Sequence, residues 1–210
     1  MEQNSRLEPA ALTPGSVRPG GRTAKVRAAV LGATQEALVE GGFHGLNMDR
    51  VAASAGVGKT TVYRRWGSAA GLVADLLRDM AEQSVPAADT GSLEGDLLAN
   101  ARLVHRTLTD PRMGPVFRAV IAAAACDEEC AHALNGFYAT RIRAWAPCVE
   151  RAAERGEVPA GTDAGEVVRA VSAPLYYRFA VSREPLGEAD AARAAGAALA
   201  AARAGTFTRN

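Results

Sequence analysis

Apolar residues recur at helical spacing along most of the chain, and short runs of Gly, Pro and Ser separate the periodic segments. Val26, Val30, Ala33, Ala37 and Leu38 predict a first helix, which Gly41-Gly42 ends, and Phe43 follows as an apolar anchor. Asn47, a favoured N-cap residue, opens a second helix through Val51, Ala52 and Ala55, and Gly56 interrupts it. A third short helix covers Lys59–Trp66, with Val57, Val62 and Trp66 turned inward. An isolated helix needs about 12–15 residues, so the second and third must be held by the first.

Gly67-Ser68 makes the next break. A longer connector helix then spans residues 68–83, with Leu72, Leu76 and Met80 on one stripe. Residues 85–92, with Pro86 and Gly91, form a linker. Five more helical patterns follow. The first is Leu93–Thr109, with Leu93, Leu97, Ala101, Val104 and Leu108 on one side, and Pro111 ends it. The next cover residues 115–125 and then 127–154, where Asp127, Glu128 and Glu129 suit a helix N-terminus. Asp163-x-x-Glu166 starts a helix to about residue 181 as a capping box, and an Ala-rich helix fills residues 187–204. The fold class is all-α: three short helices, a connector helix, then a bundle. Residues 1–21, with three prolines and no apolar period, are expected to be a disordered arm.

Composition agrees with helices. Alanine occurs 46 times, against 11 aromatic residues in all, which disfavours a sandwich or barrel. No run reaches the ~18–20 apolar residues of a membrane span, and the first 20 residues lack a secretory h-region. Three cysteines cannot all pair with one another, which points to a reducing compartment and a cytoplasmic protein. Net charge is only +1, but it is unevenly spread. Residues 1–67 hold nine Lys/Arg against five Asp/Glu (+4), and residues 68–210 hold 15 against 18 (−3). A basic N-terminal part hints at anion binding there.

The chemistry concentrates in Met48–Trp66. Two short helices joined by a turn with a glycine read as a helix-turn-helix. The second helix offers Lys59, Thr60, Thr61, Tyr63, Arg64 and Arg65, side chains suited to phosphate oxygens and base edges, with few acids nearby to repel DNA. Any helical hairpin could carry such a glycine and two exposed arginines, so the spacing alone also fits a plain structural role.

The run from Val30 to Leu77 resembles the N-terminal domain of the TetR family of transcriptional regulators. The matching residues are Val51-Ala52, Ala55-Gly56-Val57, Thr61-Val62-Tyr63-Arg64-Arg65-Trp66 and Leu72. The resemblance implies a DNA-binding domain over residues 22–67, and a connector plus ligand-binding and dimerisation domain over residues 68–210. It implies a homodimer on a near-palindromic double-stranded operator, a small-molecule effector, and a repressor as the usual role. By the same resemblance Lys59, Thr60, Thr61, Tyr63 and Arg65 contact DNA, with Arg64 beside them, and Tyr63 holds a phosphate. Asn47 stands where the family often has a threonine that meets the backbone. Similar sequences usually carry a lysine at the start of the connector helix, where this chain reads Gly67-Ser68-Ala69-Ala70.

Other features have plainer readings. Gly56-Val57-Gly58-Lys59-Thr60-Thr61 invites a P-loop nucleotide hydrolase, but Ala53 stands where the motif's first glycine belongs and helix stands where it needs a strand. A helical small-molecule binder without DNA activity is the other alternative. Cys126 and Cys130, near His132, are more simply small apolar core residues than a thiol sensor or metal site. His44, His105 and His132 have no paired carboxylate or nucleophile, and no catalytic constellation or cofactor motif emerges. Phe137, Arg141 and Trp145 form an i, i+4, i+8 stripe in which packing explains the rings but not the arginine. With Phe117, Tyr176 and Tyr177 on neighbouring helices, and with Pro147 and Pro174 disturbing the backbone, they outline a candidate ligand pocket.

Overall fold

The computed structural model describes residues 21–83 and 86–209. The expected disordered arm therefore lies, apart from Gly21, outside the described residues, as does Val85 of the linker. Among the described residues the chain forms α1 (Arg22–Gly41), α2 (Met48–Ser54), α3 (Lys59–Trp66), α4 (Ala69–Glu82), α5 (Leu93–Thr109), α6 (Met113–Ala124), α7 (Glu128–Glu154), α8 (Ala164–Tyr176) and α9 (Glu188–Arg203). A π-helical segment, Tyr177–Ser182, continues α8. The all-α reading holds.

Short polar side chains start the helices where the sequence placed them. Asn47 Oδ1 accepts from the amides of Asp49 and Arg50 at 2.9 and 3.1 Å, satisfying two N–H groups that α2 leaves without partners. Ser68 Oγ accepts from Gly71 N–H at 2.9 Å, and Asp127 Oδ1 from Cys130 N–H at 2.8 Å. At α8 Asp163 Oδ1 accepts from Glu166 N–H at 3.2 Å, but the expected reciprocal bond gives way to an ion pair of Glu166 with Arg169 at 2.6 Å.

Three expectations need correction. The first helix is not short: α1 runs 20 residues, because its four buried residues, Val30, Leu31, Thr34 and Leu38, pack on α2, α4 and α6. Helix α6 begins at Met113, two residues before residue 115, because Asp110 Oδ1 accepts from the amides of Arg112 and Met113 at 2.8 Å each. Helix α8 does not run as α-helix to residue 181. Pro174 has no N–H to donate, and three residues later the chain adopts the wider π turn.

One apolar core runs through both halves. Val51, Val62 and Trp66 meet α1 and α4 at the N-terminal end, while α5, α7, α8 and α9 bury Leu97, Val149, Val171 and Leu199. Helix α4 joins them, burying Leu72, Val73, Leu76 and Leu77 while packing on α1, α3 and α7.

Candidate nucleic-acid interface and ligand cavity

Gly56, at φ +64°, makes the turn between α2 and α3, a conformation that costs little without a Cβ. Val62 and Trp66, one helical turn apart, bury the inner face of α3. Lys59, Thr60, Tyr63, Arg64 and Arg65 are consequently exposed on the outer face, with Thr61 half-buried at its border. Tyr63 retains 48% of its surface. Asn47 is also exposed, but its side-chain oxygen is already engaged in capping α2.

This face has internal order. Lys59 Nζ donates to Asp49 Oδ2 at 2.6 Å, so one of the few nearby acids stands directly beside the basic cluster. The hydrogen bond and charge of Lys59 hold the Asp49 carboxyl below its ordinary range, and Tyr63 contributes a further hydrogen bond. Arg65 leans inward, with Cζ 5.0 Å from the Trp66 ring centre and Nη1 donating to Thr23 O at 3.4 Å. Arg64 forms no ion pair among the described residues.

A cavity of about 1010 Å³ lies between the two halves. Its walls come from α1 and α4 on one side and from α5, α6, α7 and α8 on the other. Phe117, Phe137, Tyr138 and Tyr176 form a cluster of tilted and edge-on rings, with centroids 5.4 Å apart for Phe117–Phe137 and 5.2 Å for Tyr138–Tyr176. Trp145 and Arg141 complete this wall. On the opposite wall Arg27 pairs with Asp79 at 2.6 Å and with Asp75 at 3.0 Å.

The titrating groups here respond to burial. Burial pushes the Tyr138 phenol up to about 12, and burial with the neighbouring Tyr138 pushes Tyr176 well above its ordinary value. Both stay protonated at neutral pH, Tyr176 donating to Tyr138 and Tyr138 keeping its own O–H. Burial lowers the pKa of Arg141, only partly opposed by Tyr176, and no carboxylate among the described residues pairs with it.

Five of the six residues expected at the pocket thus come together: Phe117, Phe137, Arg141, Trp145 and Tyr176. Tyr177 does not. It is 58% exposed, because the step of about 100° around the helix from Tyr176 carries its side chain away from the cavity. Tyr138 sits one residue off the Phe137 stripe, so the spacing does not single it out, yet it lines the cavity beside Phe137. The stretch from Cys126 to Cys130 is not one helix: Cys126 is exposed before the Asp127 cap, and only Cys130 is buried. Cys126 is therefore not a core residue.

The P-loop alternative fails on the backbone. The segment before Gly58 is α2, not a strand, and Lys59, which would reach a phosphate, is held by Asp49.

The family model "Bacterial regulatory proteins, tetR family" matches residues 30–76, and "Tetracyclin repressor-like, C-terminal domain" matches residues 87–198. The chain is 33% identical over 150 residues to the HTH-type transcriptional regulator AqdR of Rhodococcus erythropolis, covering 70% of each protein. It is 31% identical over 166 residues to the DNA-binding transcriptional repressor TetR of Mycobacteroides abscessus, covering 77% of this chain and 85% of that one. The crystal structure of the TetR family transcription regulator SCO0332 superposes with a TM-score of 0.68 at 30% identity, over 84% of this chain and 97% of that one. An exposed basic recognition helix, a connector helix that borders a cavity, and matches across both halves agree: this chain belongs to the TetR family of helix-turn-helix transcriptional regulators.

Proposed function

We propose that the protein is a cytoplasmic, homodimeric repressor that a small molecule releases from its operator. Residues 22–67 form the DNA-binding unit and residues 68–210 the connector with the ligand-binding and dimerisation unit. On DNA, Tyr63, Arg64 and Arg65 meet phosphates, Lys59, Thr60 and Thr61 face base edges, and Asn47 approaches the backbone. The relative from Mycobacteroides abscessus bears the name of a repressor, which supports that sign of regulation. Gly196, Ala197 and Ala200, exposed on α9, suit close approach of a second copy.

One observation carries the reading. Helix α4 packs on α3 with one end of its surface and lines the cavity with Leu76, Asp79 and Met80. A ligand seated there touches the element that sets the spacing of two recognition helices in a dimer. Such a ligand lowers operator affinity by its differential affinity for the two spacings, and by no more.

Pull-down of genomic fragments with the full chain, followed by sequencing, tests this. The enriched sites should be near-palindromic, with half-sites roughly 34 Å or a little more apart, and binding should weaken steeply with salt. Failure to enrich any fragment at low salt would overturn the proposal.

A further inference from the structure

The cavity holds four charged side chains, and three of them are neutralised within the protein. Arg27 is bound by Asp75 and Asp79, which also accounts for Asp79 itself. Arg169 is bound by Glu166 at 2.6 Å. Arg141 has no such partner among the described residues, and it projects from the wall that carries Phe117, Phe137, Tyr138, Trp145 and Tyr176. A desolvated cation without a counter-ion is unfavourable, so folding alone does not explain this arginine amid an aromatic wall.

We infer that the cavity takes an apolar, ring-bearing molecule with one anionic group, a carboxylate or an ionised phenol, and that Arg141 is the counter-ion. Deepening the effector reading above, the inference rests on this cavity being the effector site. The rings of Phe117, Phe137 and Trp145 supply the apolar surface that a flat hydrophobic body needs. Arg141 supplies the planar guanidinium fork that suits a carboxylate. Tyr176 donates to Tyr138, which leaves the Tyr138 O–H as a further donor, and neither phenol carries negative charge to repel an anion. A cationic ligand would instead place its charge against Arg141, and a neutral one would leave the arginine uncompensated. The volume, about 1010 Å³, exceeds what a two-ring molecule fills, so shape does not forbid the class.

Three probes with the same two-ring body separate the possibilities: 2-naphthoate, 2-naphthamide and 2-naphthylmethylammonium. Calorimetric titration into the full chain at neutral pH should show the anion binding about tenfold or more tighter than the amide, the scale of one charge-assisted hydrogen bond. The ammonium should bind weakest. Arg141→Leu should erase the preference by weakening the anion to the level of the amide, and Arg141→Lys should retain part of it. The melting temperature of ligand-free Arg141→Leu should not fall, since no acid of the protein loses a partner. An amide that binds as well as the anion, a preference that survives Arg141→Leu, binding of none of the three probes, or a melting temperature lowered by many degrees would each overturn the inference. Operator release is measured beside these titrations. Naphthoate that binds with the predicted charge preference yet leaves operator affinity unchanged counts against the effector reading and leaves the ligand class standing.

Discussion

Trp66 and Arg27 share one oxygen: the indole Nε1–H and the guanidinium Nε–H both donate to Asp75 Oδ2, each at 3.0 Å. Trp66 is the last residue of the recognition helix, Arg27 lies on α1, and Asp75 lies on α4, so three helices meet at one carboxylate. Arg27 also reaches Asp79, and both of them line the cavity. Any ligand that shifts Arg27 or α4 therefore acts on the group that fixes the end of α3.

Burial alone would raise the Asp75 pKa, but hydrogen bonds from Arg27 and Trp66 and the charges of Arg27 and Arg78 outweigh it and hold the carboxyl below its ordinary range. A lowered carboxyl pKa means the folded state binds fewer protons. Its stabilisation is complete above the unfolded value of about 3.9 and is lost as pH falls through the lower folded value. Asp75→Asn should cost about 1–3 kcal/mol at neutral pH, since it removes one of the two carboxylates that hold Arg27 and weakens the acceptor of the Trp66 indole. The gap in melting temperature between wild type and variant should narrow below about pH 4. A gap of constant size from neutral to acid pH would show that the charge of Asp75 contributes nothing. Operator affinity should fall with stability, because the end of α3 loses its anchor.

Gly71 marks a second point where α3 and α4 touch. A Cβ there would lie 2.0 Å from Trp66 O, a backbone atom that cannot move aside by rotation. Gly71→Ala should therefore destabilise the fold by about 1–3 kcal/mol, as overpacking does, and weaken operator binding. Gly136, in the middle of α7, has open space around its Cβ position. Gly136→Ala should raise stability by about 0.4–1 kcal/mol, through the unfolded chain. Equal melting shifts for the two variants would contradict this account of Gly71.

Local signals made the helices and the recognition face legible. Asn47, Gly56 and Asp127 each act within three residues of themselves, so a cap or turn can be read from neighbours along the chain. Arg141 was legible too, as the one cation in an apolar stripe. The hub at Asp75 was not, because Arg27 lies 48 residues away and meets it only through packing of α1 on α4. Asp49 and Lys59 are only ten apart, yet their contact depends on the angle between α2 and α3, which no periodicity encodes. Tyr177 was assigned wrongly for want of the same information. Identity and spacing favoured a tyrosine pair, and the rotation of the helix admitted one.

The Asp49–Lys59 pair sets an expectation for DNA. Asp49→Asn should raise affinity for all sequences and steepen the salt dependence by about one charge, since it removes a repulsive carboxylate and frees Lys59. Lys59→Ala should relax the base preference at one position of each half-site. Tyr63→Phe should weaken specific and non-specific binding by the same factor, because a phosphate contact carries no sequence information. Gel-shift titrations against an operator and a scrambled duplex separate these outcomes. Equal effects of Lys59→Ala on both duplexes would remove Lys59 from base readout.

The three thiols should differ in reactivity by orders of magnitude. Burial, aided by Asp127 and Glu129, pushes Cys130 up to about 12. Burial, aided by Asp96, does the same to Cys148, also up to about 12. Only the thiolate attacks an alkylating reagent, and the ordinary thiol pKa is about 8.5, so the thiolate fraction at these two sites is lower by a factor of roughly 10³. Both are also fully covered, while Cys126 is exposed. Iodoacetamide at mildly alkaline pH should therefore modify one thiol per folded chain quickly, and Cys126→Ser should abolish that fast phase. The other two should react only as fast as the protein opens, so a ligand that binds the folded state should slow them without touching the fast phase. Two fast thiols in the folded wild type, or a slow phase that ignores denaturant, would show that α7 exposes Cys130 or Cys148 by a local motion this packing does not allow.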